Sequence, residues 1–277
     1  MKQFVLFLLV VCSCSAGFAQ TWRNAGKGAC NDNHTPLTAG MICSDEVKAG
    51  PVLSPTGWGS TESFAFISGG GSPRQLYGTR PNYAFVAGVG LGDARKLVSL
   101  MGIANFNDAS QPGKSMSYSI VASRSLKRWG SISAGALHLF SDTAVSDGMH
   151  SFYFAYSNTF KKLPRLSLDH PRLTFTVGVG SGAFYKRSPA DIRQVKSRYG
   201  TGLFANLSYE LIRRVHLTAE WTGMNLALTG MVRLPEFWPC LFAGVADLTH
   251  YSGDRPTCVF GVGKAIGFQQ ISHALSN

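Results

Sequence analysis

Glu220, Asn225 and Asp247 fall on three consecutive segments near the end of the chain in which apolar residues alternate with others. Glu220 and Asn225 stand opposite the oily rows of their segments, and His216 and Arg233 share that side. The segment of Asp247 is apolar on both sides, so its face stays open. Charges that share the inside of a closed sheet tend to pair, because an isolated buried ion is costly. A structural network that props or plugs the interior is therefore the first reading of these five residues. A ring of charge at a solute-selective constriction comes second. Acid/base catalysis comes third, since paired acids alone say little.

Other chemistry-bearing residues lead less far. His138 alternates with Ile132, Ala134, Ala136 and Phe140. That row would be the outer face, where a Ser–His pair could serve a lipid hydrolase; no complete set of nucleophile, base and orienting group accompanies it. Gly113-Lys114-Ser115 resembles the end of a phosphate-binding loop, but Asp108 occupies the position of the first required glycine. Gly88-Val89-Gly90-Leu91-Gly92 lacks dinucleotide-loop spacing, and no helix follows it. Glycines within barrel strands more often relieve crowding. No cysteine or histidine spacing reads as a zinc site, and no cofactor is called for.

The elements that position these residues begin with an export signal. Lys2 precedes the apolar run Phe4–Val11, and Gly17-Phe18-Ala19 supplies small residues for cleavage after Ala19. The run is too short to span a membrane as a helix. Acylation at Cys12 or Cys14 fits a lipoprotein signal only in part. Cleavage removes one lysine and no acid, taking the formal net charge from +11 to +10. Nucleic acid is a poor partner for an exported chain without a basic stripe interleaved with aromatics. Outer-membrane lipid and lipopolysaccharide, and other envelope proteins, fit better. Export also permits disulfides. Cys30 and Cys43 lie in a loop-like stretch, where a local bridge is the natural expectation. With a hairpin folded about Ser252, Cys258 faces Ala246, too far along from Cys240 to be bridged to it.

Residues 20–60 are rich in Gly, Asn, Thr and Pro and read as an N-terminal extension, either periplasmic or a plug. From about residue 61 to Phe268 the period is two. In 115–123, Met116, Tyr118, Ile120 and Ala122 oppose Ser115, Ser117, Ser119 and Ser123. The segments 172–184, 201–211 and 215–222 repeat the design. Weaker alternation marks 62–69, 82–91, 97–106, 131–140, 150–160, 224–234, 240–248 and 257–268. Twelve segments of roughly 8 to 12 residues suit tilted membrane strands. The faces opposite the oily rows carry Ser, Thr, Gly and Asn, and aromatics such as Tyr83, Phe140, Phe160, Tyr185, Trp221 and Trp238 gather near segment ends. These features predict an all-β transmembrane antiparallel barrel over 61–268, with a tail at 269–277. The rival is a soluble exported β-sandwich acting as a binding module.

Short motifs add a resemblance: Glu220-Trp221-Thr222-Gly223-Met224-Asn225-Leu226, Ala246-Asp247-Leu248-Thr249, Gly253-Asp254-Arg255-Pro256, Phe260-Gly261-Val262-Gly263 and Gly90-Leu91-Gly92-Asp93. Over about two thirds of the chain it resembles uncharacterised barrel-forming outer-membrane proteins of Gram-negative bacteria. The resemblance implies an outer-membrane barrel and brings no activity with it. Phe268 resembles the terminal aromatic of barrel-assembly signals, although residues 269–277 follow it. The expected function is a passive channel or a structural subunit of an envelope or secretion assembly, with a membrane-embedded lipid hydrolase as the alternative.

Overall fold

The computed structural model describes residues 51–73, 82–106, 116–141, 149–160, 173–186, 199–212, 214–234, 238–249 and 256–268. The cleavage site, Cys30, Cys43 and the tail lie outside them. Twelve strands follow in order: β1 (Phe64–Ser72), β2 (Asn82–Gly92), β3 (Ser99–Phe106), β4 (Met116–Ser125), β5 (Ser131–Leu139), β6 (Ser151–Phe160), β7 (Leu173–Gly180), β8 (Leu203–Ile212), β9 (Val215–Trp221), β10 (Leu226–Arg233), β11 (Cys240–Ala246) and β12 (Thr257–Gly267). Each pairs antiparallel with its sequence neighbours, and β1 pairs with β12 to close the barrel. A sandwich of two sheets is thereby excluded. No described helix is long and apolar enough to cross a membrane. Closure leaves no edge of unpaired backbone, which is what permits a sheet to sit in hydrocarbon.

An even strand number brings the start of β1 and the end of β12 to one end. That end also carries the connections 93–98, 126–130, 161–172, 213–214 and 234–239. The opposite end carries 73–81, 107–115, 140–150, 181–202, 222–225 and 247–256, which are longer on the whole. Short turns at the end where β1 starts and β12 finishes, and longer loops opposite, are the pattern of bacterial outer-membrane barrels.

The side chains sort inside out compared with a soluble domain. Ile120, Phe152, Phe154, Val177, Val179, Leu203, Leu228 and Val262 are exposed on the outer face. Ser117, Ser119, Ser133, Ser157, Thr176, Ser208 and Thr218 are buried within. An apolar belt this extensive needs an apolar surround, so the architecture fits an outer-membrane barrel. Tyr83, Phe140, Phe160, Tyr185 and Trp238 stand exposed near the ends of the wall, where interfacial aromatics belong.

Part of the interior is apolar. Phe64, Phe66, Val86, Met101, Ile103, Val121, Leu137, Tyr153, Phe184 and Phe204 form one buried cluster from β1 round to β8. Its rings lie on glycines of the neighbouring strand: Phe64 pairs with Gly90, Phe66 with Gly88 and Phe204 with Gly178. A Cβ on Gly90 would come within 2.1 Å of the Phe64 ring, and one on Gly178 within 2.2 Å of Phe204. The glycine-rich run in β2 is therefore space for phenylalanine rings.

Candidate functional site: a chain segment bound inside the barrel

Pro51 to Ser60 belongs to no strand, yet nearly all of it is buried. Gly, Pro and Ser give this segment no pairing pattern of its own, and the residue before a proline is held extended. Ser54 before Pro55 is such a position. The segment runs through the barrel interior and hydrogen-bonds to inward side chains on both sides.

Glu220 on β9 is the principal contact, with no solvent exposure. The backbone N–H groups of Val52, Leu53 and Ser54 donate to its carboxylate at 2.7, 2.9 and 3.0 Å. The Ser54 hydroxyl donates at 3.0 Å, and Thr229 Oγ1 of β10 at 3.2 Å. Three successive amides converging on one carboxylate form an anion-binding nest, with the wall supplying the anion. Asn206 Nδ2 of β8 donates to Ser54 Oγ at 3.2 Å. Beneath the nest, Val52 and Leu53 pack on Met231, Cys240 and Phe242.

The segment then crosses to the opposite wall. Ser133 Oγ of β5 donates to the Thr56 carbonyl at 2.6 Å, and the Gly57 N–H donates to Ser157 Oγ of β6 at 2.7 Å. Ser60 Oγ lies 2.6 Å from Ser99 Oγ of β3, and the Ala94 N–H donates to the Ser60 carbonyl at 2.8 Å. Both glycines touch the wall: a Cβ on Gly57 would meet the Ser131 carbonyl oxygen at 2.4 Å, and one on Gly59 would meet the Ala94 Cβ at 2.5 Å. The interior serines and threonines thus act as a cradle of hydroxyls for a strap of backbone.

The five polar residues singled out above do not form one cluster. Glu220 holds the strap. Asn225 Nδ2 donates to Asp247 Oδ1, and Thr249 Oγ1 donates to Asn225 Oδ1 at 3.2 Å. This group ties the turn 222–225 to the end of β11 at the long-loop rim. His216 is buried on the inward row of β9, opposite Glu210 of β8. Four residues along a strand separate it from Glu220, about 13 Å. Arg233 continues the inward row of β10 toward the short-turn end, opposite Cys240. Among the described strand residues it is the one inward lysine or arginine, since Arg124 and Lys264 fall on the outer rows.

Two expectations change. His138 does not join the outer row of Ile132, Ala134 and Ala136. The register shifts between Tyr118 and Ile120, where β5 bulges, and His138 takes a φ of 53°. The bulge turns its Nδ1 to 3.1 Å from Ser117 Oγ, on the inner face where Ser117 is fully buried. A Ser–His pair open to lipid on the outer face is absent at this position. Cys258 faces Val245 rather than Ala246, one residue off the expected register. It is free and exposed, whereas Cys240 is disulfide-bonded, with its partner outside the described residues.

The strap residues carry no motif, so composition alone marked them as something other than wall. The one available signal was that the wall opposite is built of small hydroxyl side chains, which leave room to be filled. Comparison with known proteins finds no family model, no curated protein and no solved structure that matches this chain.

Proposed function

We propose that this chain is an integral outer-membrane barrel that works with its interior filled, as a membrane-embedded structural subunit of an envelope assembly rather than as an open passive channel. The observation that carries the reading is the strap of residues 51–60, seated on Glu220 and the inner hydroxyls. Barrels of eight strands are just filled by their own side chains, and those of sixteen leave a water channel. Twelve strands fall between, with room for one extended segment beside an apolar cluster. The placing of the basic residues supports the same reading, because among the described strand residues Arg233 is the one inward base, short of the cationic lining an anion-selective pore would require. Resemblance of the short glycine motifs to Gram-negative barrel proteins is consistent with the envelope setting.

Two measurements test this. Folded wild-type protein in planar bilayers is expected to give no stepwise conductance, and stepwise conductance would overturn the filled-barrel reading. Gentle detergent extraction is expected to bring down defined envelope partners, and a clean monomer would overturn the subunit role. A second reading, a channel opened by withdrawing the strap, is favoured by the hydroxyl-lined wall left behind. It requires conductance in Glu220→Ala protein.

A further inference from the structure

Several of the described basic residues lie outside the barrel, at the short-turn end. The turn 126–130 joins β4 to β5 and contains Lys127, Arg128 and Trp129, all exposed. The Arg128 guanidinium lies over the Trp129 ring, 5.1 Å from its centre. Just above, Arg124 is exposed on the outer row of β4; it pairs across the ladder with Ile132, which in turn pairs with Tyr156 of β6. Tyr156 donates its hydroxyl to the Trp129 carbonyl at 2.7 Å, fixing the turn against the wall. The adjacent turn 93–98 adds Arg95 and Lys96, loosely paired with Asp93 at 4.0 and 3.8 Å. It is bound to the first turn region by the Ser125 N–H donating to the Ala94 carbonyl at 2.9 Å. Leu97, in the same turn, is 67% exposed.

Five cations against one acid border the apolar belt, with an exposed indole and leucine among them. A solvated face would have no use for Trp129 and Leu97, and a protein-binding patch would not merge into the wall through Arg124. Aromatics settle at the depth of lipid headgroups, and basic residues at that depth attract anionic ones.

We infer that Arg124, Lys127, Arg128 and Trp129 form a binding site for the phosphate of an anionic phospholipid in the leaflet at the short-turn end. Arg124 meets the phosphate from the wall and Arg128 from the turn, while Trp129 lies along the glycerol and upper acyl chain. Arg95 and Lys96 broaden the positive field. The site rests on the membrane-barrel reading, and it makes this leaflet's composition matter to how the barrel is held and oriented.

Tryptophan quenching by brominated lipids provides the test. The full-length protein is folded into vesicles of brominated phosphatidylglycerol or brominated phosphatidylcholine, and the Trp129 signal is obtained by difference from Trp129→Phe. Wild type should show stronger Trp129 quenching in mixtures brominated on phosphatidylglycerol, weakening as salt rises. Arg124→Gln and Arg128→Gln should each lower the preference roughly fivefold, about 1 kcal/mol per basic residue near an anionic surface. Arg124→Lys should keep most of it, and Lys186→Gln, at the other end, all of it. Equal quenching by both lipids in inserted wild-type protein, or full preference in the doubly substituted protein, overturns the site. Failure of wild type to insert into either vesicle overturns the membrane reading itself, and protease protection separates that outcome from the others.

Discussion

Replacing Glu220 by alanine removes one acceptor from five donors and leaves the barrel ladder untouched. Three of the donors are backbone N–H groups, of Val52, Leu53 and Ser54, which cannot turn away as the hydroxyls of Ser54 and Thr229 can. A buried donor left unsatisfied costs about 1–3 kcal/mol. Three would cost about 3–9 kcal/mol by that measure, before relaxation. The space vacated by the carboxylate is polar and large enough for water, which would recover part of the loss. An overall cost of about 3–5 kcal/mol follows, as for other broken buried ionic networks. It should fall on docking of the strap, because Glu220's β9 backbone still pairs with β8 and β10. Hydrogen exchange reads this directly. At about 1.4 kcal/mol per tenfold, the amides of Val52, Leu53 and Ser54 should exchange roughly 100 to 4,000 times faster in Glu220→Ala, with mid-strand amides of β4 and β6 unchanged. Glu220→Gln keeps one acceptor oxygen but turns an NH2 group toward the nest, and should fall between. Unchanged exchange at Val52–Ser54 in Glu220→Ala would refute the anchoring role and leave packing as what holds the strap.

Four further outcomes follow from the geometry. Gly57→Val places side-chain atoms against the Ser131 carbonyl and the Ser157 N–H; the strap should become cleavable by added protease while the heat-modifiable barrel band persists on gels. Gly178→Val collides with the Phe204 ring, and the overpacking should lower barrel stability by about 1–3 kcal/mol in urea unfolding from vesicles. Ile120→Arg, mid-strand on the outer face with Ile120 56% exposed, should cost about 2–4 kcal/mol in the same assay; a soluble protein would lose almost nothing. Cys258 should react with maleimide in folded protein, and Cys240 only after reduction.

The twelve strands were legible in the sequence because a closed barrel imposes one simple rule on every strand. An apolar outer face and a hydroxyl-rich interior force a period of two, so the rows of Met116, Tyr118 and Ile120 against Ser117 and Ser119 declared both strand and face. Ends were less legible. Gly182–Phe184 carries on the alternation of β7 but folds as a single 3₁₀ turn, with Phe184 buried against Phe204, ring centres 4.7 Å apart. The bulge at His138 was hidden for the same reason: alternation assumes an unbroken register, and a positive φ at one residue reverses the face.

The sequence by itself determined that the wall is an antiparallel barrel with one apolar and one hydroxyl-rich face, because face and period are local properties of each strand. It also marked Glu220 as an inward acid. Only the tertiary structure decided what that acid does. Glu220 lies 166 to 168 residues from the amides it binds, and no local pattern relates Pro51–Ser60 to a site so distant. Closure of β1 on β12 is what creates an interior for the strap to occupy, and whether the barrel is empty or filled is a property of that enclosed space rather than of any strand.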